Sequence, residues 1–289
     1  KESLQLTTYI ATNAYAEFED TFAEKHYFKA LAGYNYEQQD YKSTYSERNG
    51  LLMPDAGNIN FALGDVMSIT GGGSRWRYVG AFFRFNYAYD DRYLLEVNGR
   101  YDGSSKFPNN SQWGFFPSGS IGWRISEEPW MKWSRNWLDN FKIRANVGSL
   151  GNASIDPYQF LSLMRTSNSA SKSIEKSSIL INGEQVPYTS WPTMVPVSLT
   201  WETVTTYDIG VDFDLLRNRL SGSFDYYWRY TNDMLINGPD YPQVLGETSP
   251  KGNFGALKAK GWEASLSWRD SFKVGGKPFN YNVKVSVWD

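Results

Sequence analysis

One hairpin constrains the chain more than any other stretch: residues 76–102, WRYVGAFFRFNYAYDDRYLLEVNGRYD. On its first arm Val79, Ala81, Phe83, Phe85, Tyr87 and Tyr89 alternate with Tyr78, Gly80, Phe82, Arg84, Asn86 and Ala88. On its second arm Tyr93, Leu95, Val97, Gly99 and Tyr101 alternate with Arg92, Leu94, Glu96, Asn98, Arg100 and Asp102. A period of two means strands with two unlike faces, turned by Asp90-Asp91. Each arm runs to about a dozen residues or more, well past the five or six usual in soluble proteins. One face carries Arg, Glu and Asn in its middle. The other is Phe, Val and Leu, with Tyr toward its ends. That is how a strand crosses a bilayer: about ten tilted residues, apolar outward, polar toward a lumen, aromatic at the interfaces.

Composition removes several alternatives. Aromatic residues make up 17% of the chain and the net charge is −2, so no basic field suggests nucleic acid. Cysteine is absent and His26 is the only histidine. These counts exclude disulfide frames, thiol nucleophiles, Cys-based metal sites and multi-histidine zinc sites; no metal site or cofactor is expected. Mean hydropathy is −0.52, and no run approaches the roughly 18 apolar residues of a spanning helix. A β-barrel meets no objection there, because polar lumen residues dilute the average. No signal peptide opens the chain, so it reads as an excised or processed piece.

The same alternation recurs along the sequence. It predicts strands within residues 4–18, at 26–37, in the two arms of the hairpin, and at 113–126, 141–150, 203–215, 220–231, 261–269 and 279–288. The facing of the first is ambiguous, since Leu4, Leu6 and Ile10 compete with Tyr9, Ala11 and Tyr15. Connections alternate short and long. Residues 38–75, ending in Gly71-Gly72-Gly73, and residues 151–202 read as long loops; 127–140 is a medium connection with room for one helical turn. A structureless loop of roughly fifty residues argues against a compact soluble domain. On the outer side of a membrane barrel it is ordinary, and the short turns at Asp90-Asp91 and Asn218-Arg219 are then periplasmic. The fold class expected is all-β, an antiparallel transmembrane β-barrel with about ten strands in this chain.

Several blocks together resemble one family. DDRYLLEVNGRYDGSSKF (90–107) and WGFFPSGSIGWRISEEPW (113–130) look like the barrel signature of SusC/RagA-type TonB-dependent outer-membrane transporters. FKIRANVGSLGN (141–152), residues 199–235 and NFGALKAKGWEASLSW (253–268) are similar to later blocks, the last carrying an Asn-x-Gly…Lys-Gly-x-Glu element. The resemblance implies a plugged barrel of about 22 strands, of which residues 1–289 would form part of one barrel domain. The plug, the TonB-contact segment and the final strands are not recognisable here. It also implies import of oligosaccharides or peptides, powered through TonB, across a Gram-negative, Bacteroidetes-like outer membrane. A SusD-like surface lipoprotein would act as lid. No bond is broken in such a role. The rival reading is a soluble, aromatic-rich carbohydrate-binding β-protein, and a second is a small autonomous barrel with an adhesive role.

Candidate chemistry has competing readings. Asp102 with Ser104-Ser105-Lys106 suggests an activated serine, but no base-and-orienter motif surrounds it, and a strand-to-loop signature fits better. Glu127-Glu128 fits a turn start better than an acid/base pair. Asp208, Asp212 and Asp214 share a face without the oxygen-ligand loop of a calcium site, so a lumen wall fits better. No catalytic residue is expected. Trp113, Tyr158, Trp191 and Tyr241, in the long loops, could stack on sugar rings, or pack loops against each other or the lid.

Overall fold

The computed structural model describes residues 1–53, 57–164, 180–182, 184–185, 189, 192–196, 198–245 and 249–289. Ten antiparallel strands form one sheet in sequence order. They are β1 (Glu2–Phe22), β2 (His26–Arg48), β3 (Val66–Tyr89), β4 (Tyr93–Ser104), β5 (Trp113–Arg124), β6 (Leu138–Asn152), β7 (Glu202–Leu215), β8 (Leu220–Asn237), β9 (Lys251–Val274) and β10 (Lys277–Trp288). A separate two-stranded pairing joins Leu180–Ile181 to Glu184–Gln185. The main sheet is open, with β1 and β10 at its edges.

Register carries the apolar face from strand to strand. Ala30 lies opposite Phe85, Phe85 opposite Val97, and Val97 opposite Gly119. Ile121 faces Ala145, Ala145 faces Ile209, and Ile209 faces Tyr226. Tyr226 then meets Trp262, and Leu266 meets Val285. Because a one-residue slip would turn a whole strand over, this agreement fixes the facing everywhere. It also resolves β1: Phe18 pairs with Ala30 and Ala16 with Ala32, so Leu4, Leu6 and Ile10 share the apolar parity. No second layer covers that face among the described residues; Phe83, Val97 and Val285 are 44, 39 and 58% exposed.

The opposite face is a lattice of ion pairs and amides. Arg84 Nε donates to Asn98 Oδ1 at 2.8 Å, Asn98 to Glu96 at 2.7 Å, and Asn86 to Glu96 at 2.9 Å. Further along, Arg144 bridges Asp208, Asp212 and Asp225 at 3.3, 3.1 and 2.6 Å, and Lys142 reaches Asp212 at 3.0 Å. Asn140 donates to Asp214 and Asn146 to Asp208. The three aspartates of β7 are thus held by basic and amide groups of β6. Arg144→Met should leave three carboxylates facing one another with Lys142 alone. We expect a loss of about 1.5–3 kcal/mol, the scale of hydrogen bonds to charged groups, measurable by urea unfolding of the full-length protein in detergent.

Turns of two or three residues close one end of the sheet. Ala23-Glu24, Asp90-Asp91 and Gly275-Gly276 all have positive φ at both central positions. This matches the twist of the strands they join. Leu216, Arg217 and Asn218, also at positive φ, close the β7–β8 hairpin. Strands reach further than their alternation predicts. The pairing of β2 with β3 continues from Gln38↔Arg77 to Arg48↔Val66, and a bridge from Leu51 to Ala62 holds the tip. Most of the expected 38–75 loop is therefore a hairpin, with Gly71-Gly72-Gly73 inside β3. Likewise β8 and β9 extend through much of 232–256, and β9–β10 turn at Gly275-Gly276 rather than over 270–278. Beyond the apolar belt water reaches both faces, so alternation fades while register persists.

The remaining connection at the short-turn end holds two 3₁₀ stretches, Ile125–Glu127 and Pro129–Ser134. Glu128 lies between them and is almost fully buried. It accepts hydrogen bonds from the Tyr93 hydroxyl (2.7 Å) and the Trp123 Nε1–H (3.0 Å), while Glu127 turns toward Arg135 at 3.6 Å. The two carboxylates therefore diverge. The Tyr93 hydroxyl, then the Trp123 indole, hold the Glu128 carboxyl below its ordinary value. A depressed folded pKa adds stability above the unfolded value of about 4.3 that is lost as pH falls through the folded one. Glu128→Gln should abolish this acid-side loss. Trp123 fluorescence followed from neutral pH to about 3 checks it.

Candidate functional site

The buried hydrophobic cluster lies at the long-loop end. Phe107, Phe116, Ile155, Leu199 and Trp201 form it, with Tyr78, Ala153, Phe160 and Leu235 against its edge. Phe107 is fully buried and Trp201 is 4% exposed. The Trp201 ring lies 5.1 Å from Phe107, 5.3 Å from Phe116 and 5.8 Å from Tyr78. Its indole N–H donates to the Gln112 carbonyl at 3.0 Å. Phe116 and Tyr78 have the polar-face parity of β5 and β3, so the loops fold back over the lumen side of the wall.

The segment Asp102-Gly103-Ser104-Ser105-Lys106-Phe107 builds the front of this layer. Ser104 N–H donates to the Gln112 carbonyl at 3.0 Å. Ser104 Oγ accepts from the Lys106 amide, and Ser105 Oγ accepts from the Arg77 amide at 2.8 Å. Asp102 is gripped by Arg100, whose Nε and Nη2 donate at 3.0 and 2.9 Å. Both serines thus cap backbone groups, as a strand-to-loop signature requires. Lys106 lies over the Trp76 ring at 5.2 Å and reaches the Ala153 carbonyl at 3.5 Å. Burial pulls its ammonium below the usual value, with Asp156 acting against that.

Asn253 latches the other side. Its Oδ1 accepts from the Thr200 amide at 2.8 Å, and its Nδ2 donates to the Thr200 and Asp233 carbonyls at 2.9 and 2.6 Å. The Asn of the Asn-x-Gly element therefore ties the returning end of the long loop, next to Trp201, to β8 and β9. Asn253→Ala should loosen this return by about 1–3 kcal/mol, the cost of orphaning backbone groups. Faster amide exchange at Thr200, with no change in β10, is the expected reading.

The four aromatic candidates are dispersed. Trp113 opens β5 with apolar-face parity and stacks on Tyr101 at 5.0 Å, so its ring belongs to the aromatic border of that face. Tyr158 sits at φ 69° in the long loop, and its hydroxyl accepts from the Arg75 amide at 3.1 Å. Tyr241 is half-buried beyond the end of β8. Trp191 lies outside the described residues. Sequence reasoning did not single out Phe107, Trp201 and Asn253. The signal was present, since all three lie inside the blocks that carry the family resemblance.

A single sheet with an uncovered apolar face, an ion-paired reverse and a packed layer of loops over one rim defines the wall of a membrane β-barrel. The chain belongs to the family described as TonB dependent receptor-like, beta-barrel, which matches residues 3–287. It is 31% identical over 253 residues to TonB-dependent receptor P26 of Formosa agariphila, covering 87% of this chain and 24% of that protein. It is 34% identical over 211 residues to TonB-dependent receptor SusC of Bacteroides thetaiotaomicron, covering 72% of this chain and 20% of that one. The solved RagAB peptide transporter superposes with a TM-score of 0.75 at 25% identity, over 98% of this chain and 30% of its own. The chain spans about a quarter of the length of the curated relatives it matches. It is a SusC/RagA-type barrel segment of an outer-membrane receptor family.

Proposed function

We propose that the chain supplies part of the wall and rim of a larger plugged barrel that imports oligosaccharides or peptides. In this reading the short-turn end is periplasmic and the loop layer faces outside the cell. The observation that carries it is the loop layer itself. A dry aromatic cluster locks residues 104–112 and the return of the 153–201 segment over the polar face, where a large solute would enter. The wall behind it offers fixed amides and ion pairs, which suit a hydroxyl- or amide-rich cargo, and no bond is broken there. In this reading Tyr158 and Tyr241 would be loop aromatics that meet cargo or lid, while the Trp113 ring lies on the membrane border. Energy would come through TonB by a segment outside this chain, and a SusD-like lipoprotein would close the mouth.

Two measurements on the full-length protein test this. Tagged protein extracted from outer membranes should bring a surface lipoprotein with it in detergent. Deleting the gene should abolish growth on one oligosaccharide or peptide source while growth on its monomers persists. Behaviour as a soluble species without detergent would instead favour the carbohydrate-binding alternative.

A further inference from the structure

We infer that the β5–β6 connection is a membrane-contacting turn, seated among phospholipid headgroups of the periplasmic leaflet. The inference rests on the barrel reading above. Its stem is buried: Ile125, Ser126, Glu128, Ser134 and Leu138 are all under 9% exposed. Three tryptophans nonetheless point away from that stem. Trp130, Trp133 and Trp137 are 58, 68 and 43% exposed, and the last two rings lie 6.1 Å apart. Three exposed indoles on one short turn are an unusual burden in water. At a membrane–water boundary they are favoured, because the ring is apolar and its N–H stays wet.

Other turns at the same end act as an internal control. They carry Ala23-Glu24-Lys25, Asp90-Asp91-Arg92, Leu216-Arg217-Asn218-Arg219 and Gly275-Gly276: seven charged residues, one large apolar residue (Leu216, 46% exposed) and no Trp or Phe. Those compositions suit water. Continuity supplies the occupant. Glu128 ties the stem to Tyr93 and Trp123, whose positions are the last apolar-face residues of β4 and β5 at this end. The turn thus starts where the lipid belt stops. Lys132 is exposed among the indoles, and Arg135, also exposed, pairs with Glu127 at 3.6 Å beside them, at the level where lipid phosphates lie.

The test uses full-length protein in vesicles of phosphatidylethanolamine and phosphatidylglycerol. This chain has no cysteine, so single cysteines introduced here report specifically once any others in the parent are replaced. Nitroxide labels are placed at Trp133→Cys, Val97→Cys and Lys25→Cys, and collisions with oxygen and with a water-soluble nickel chelate are compared. The Trp133 label should show an oxygen-to-nickel ratio about threefold or more above that at Lys25 and below that at Val97, as for a group seated in the headgroup–acyl boundary. A Trp133 ratio equal to that at Lys25, with Val97 in lipid, overturns this inference alone. A Trp133 label shielded from both reagents means that protein covers the turn, which also overturns it. A Val97 label in water sinks the barrel reading instead.

Discussion

Val97→Arg should destabilise the full-length protein by about 2–4 kcal/mol, the cost of a cation on the lipid face near mid-membrane. Val97 lies at the centre of β4, opposite Phe85 on one side and Gly119 on the other, with no neighbouring layer to shelter a charge. Asn98→Arg is the paired control. Asn98 points the other way and already exchanges hydrogen bonds with Arg84 and Glu96. An arginine there keeps Glu96 as partner but removes the acceptor of Arg84 directly opposite, a loss of about 1–1.5 kcal/mol that stays below that at Val97. Urea unfolding in lipid or detergent reads both. Equal losses would mean that the two faces meet the same medium, and the membrane orientation would be wrong.

The second large effect is expected at Trp201→Ala. Truncating a buried tryptophan costs about 3–5 kcal/mol, and here the loss also removes the donor to the Gln112 carbonyl. The damage should stay local, because the ladder hydrogen bonds of the sheet do not pass through this ring. Exchange protection of the Ser104 and Phe107 amides should fall by roughly two orders of magnitude or more, at about 1.4 kcal/mol per tenfold. Leu266 and Val285 should keep theirs. Trp201→Phe, which retains most of the ring, should recover much of the protection. Uniform loss across the sheet would instead make the cluster part of the wall's own stability.

Sequence alone made the wall legible where one face meets hydrocarbon, because only there does the medium force a period of two. Phe83 to Tyr89, Leu95 and Val97, and Val283 to Val287 needed no more than that. The projecting arms of β2 and β3 were hidden for the converse reason: Ser43, Thr44, Gly71 and Gly72 are wetted on both sides and carry no alternation, yet they pair in the register set below them. The ambiguity of β1 ended the same way, through its partners rather than its own residues. At the rim the limits were different. Asn253 and Phe107 stood in recognisable blocks, but that one latches Thr200 and the other fills a dry centre depends on contacts across about 50 and 90 residues of chain. Trp113 stands where loop gives way to strand, and its parity in β5 puts the ring on the apolar side of the wall.

The long excursion between β6 and β7 leaves and returns to strands already matched residue for residue, from Leu150 opposite Val204 to Phe141 opposite Phe213. Chain closure entropy grows only with the logarithm of length, so doubling that excursion would add about 0.6 kcal/mol. Its two feet are held in one cluster, by Ile155 near departure and by Leu199 and Trp201 near arrival. Between them, Phe160 packs on the same cluster and the Tyr158 hydroxyl accepts from the Arg75 amide, so the departing arm of the excursion is tied to the rim as far as residue 160. Length added beyond those anchors would therefore cost the strand register on either side little.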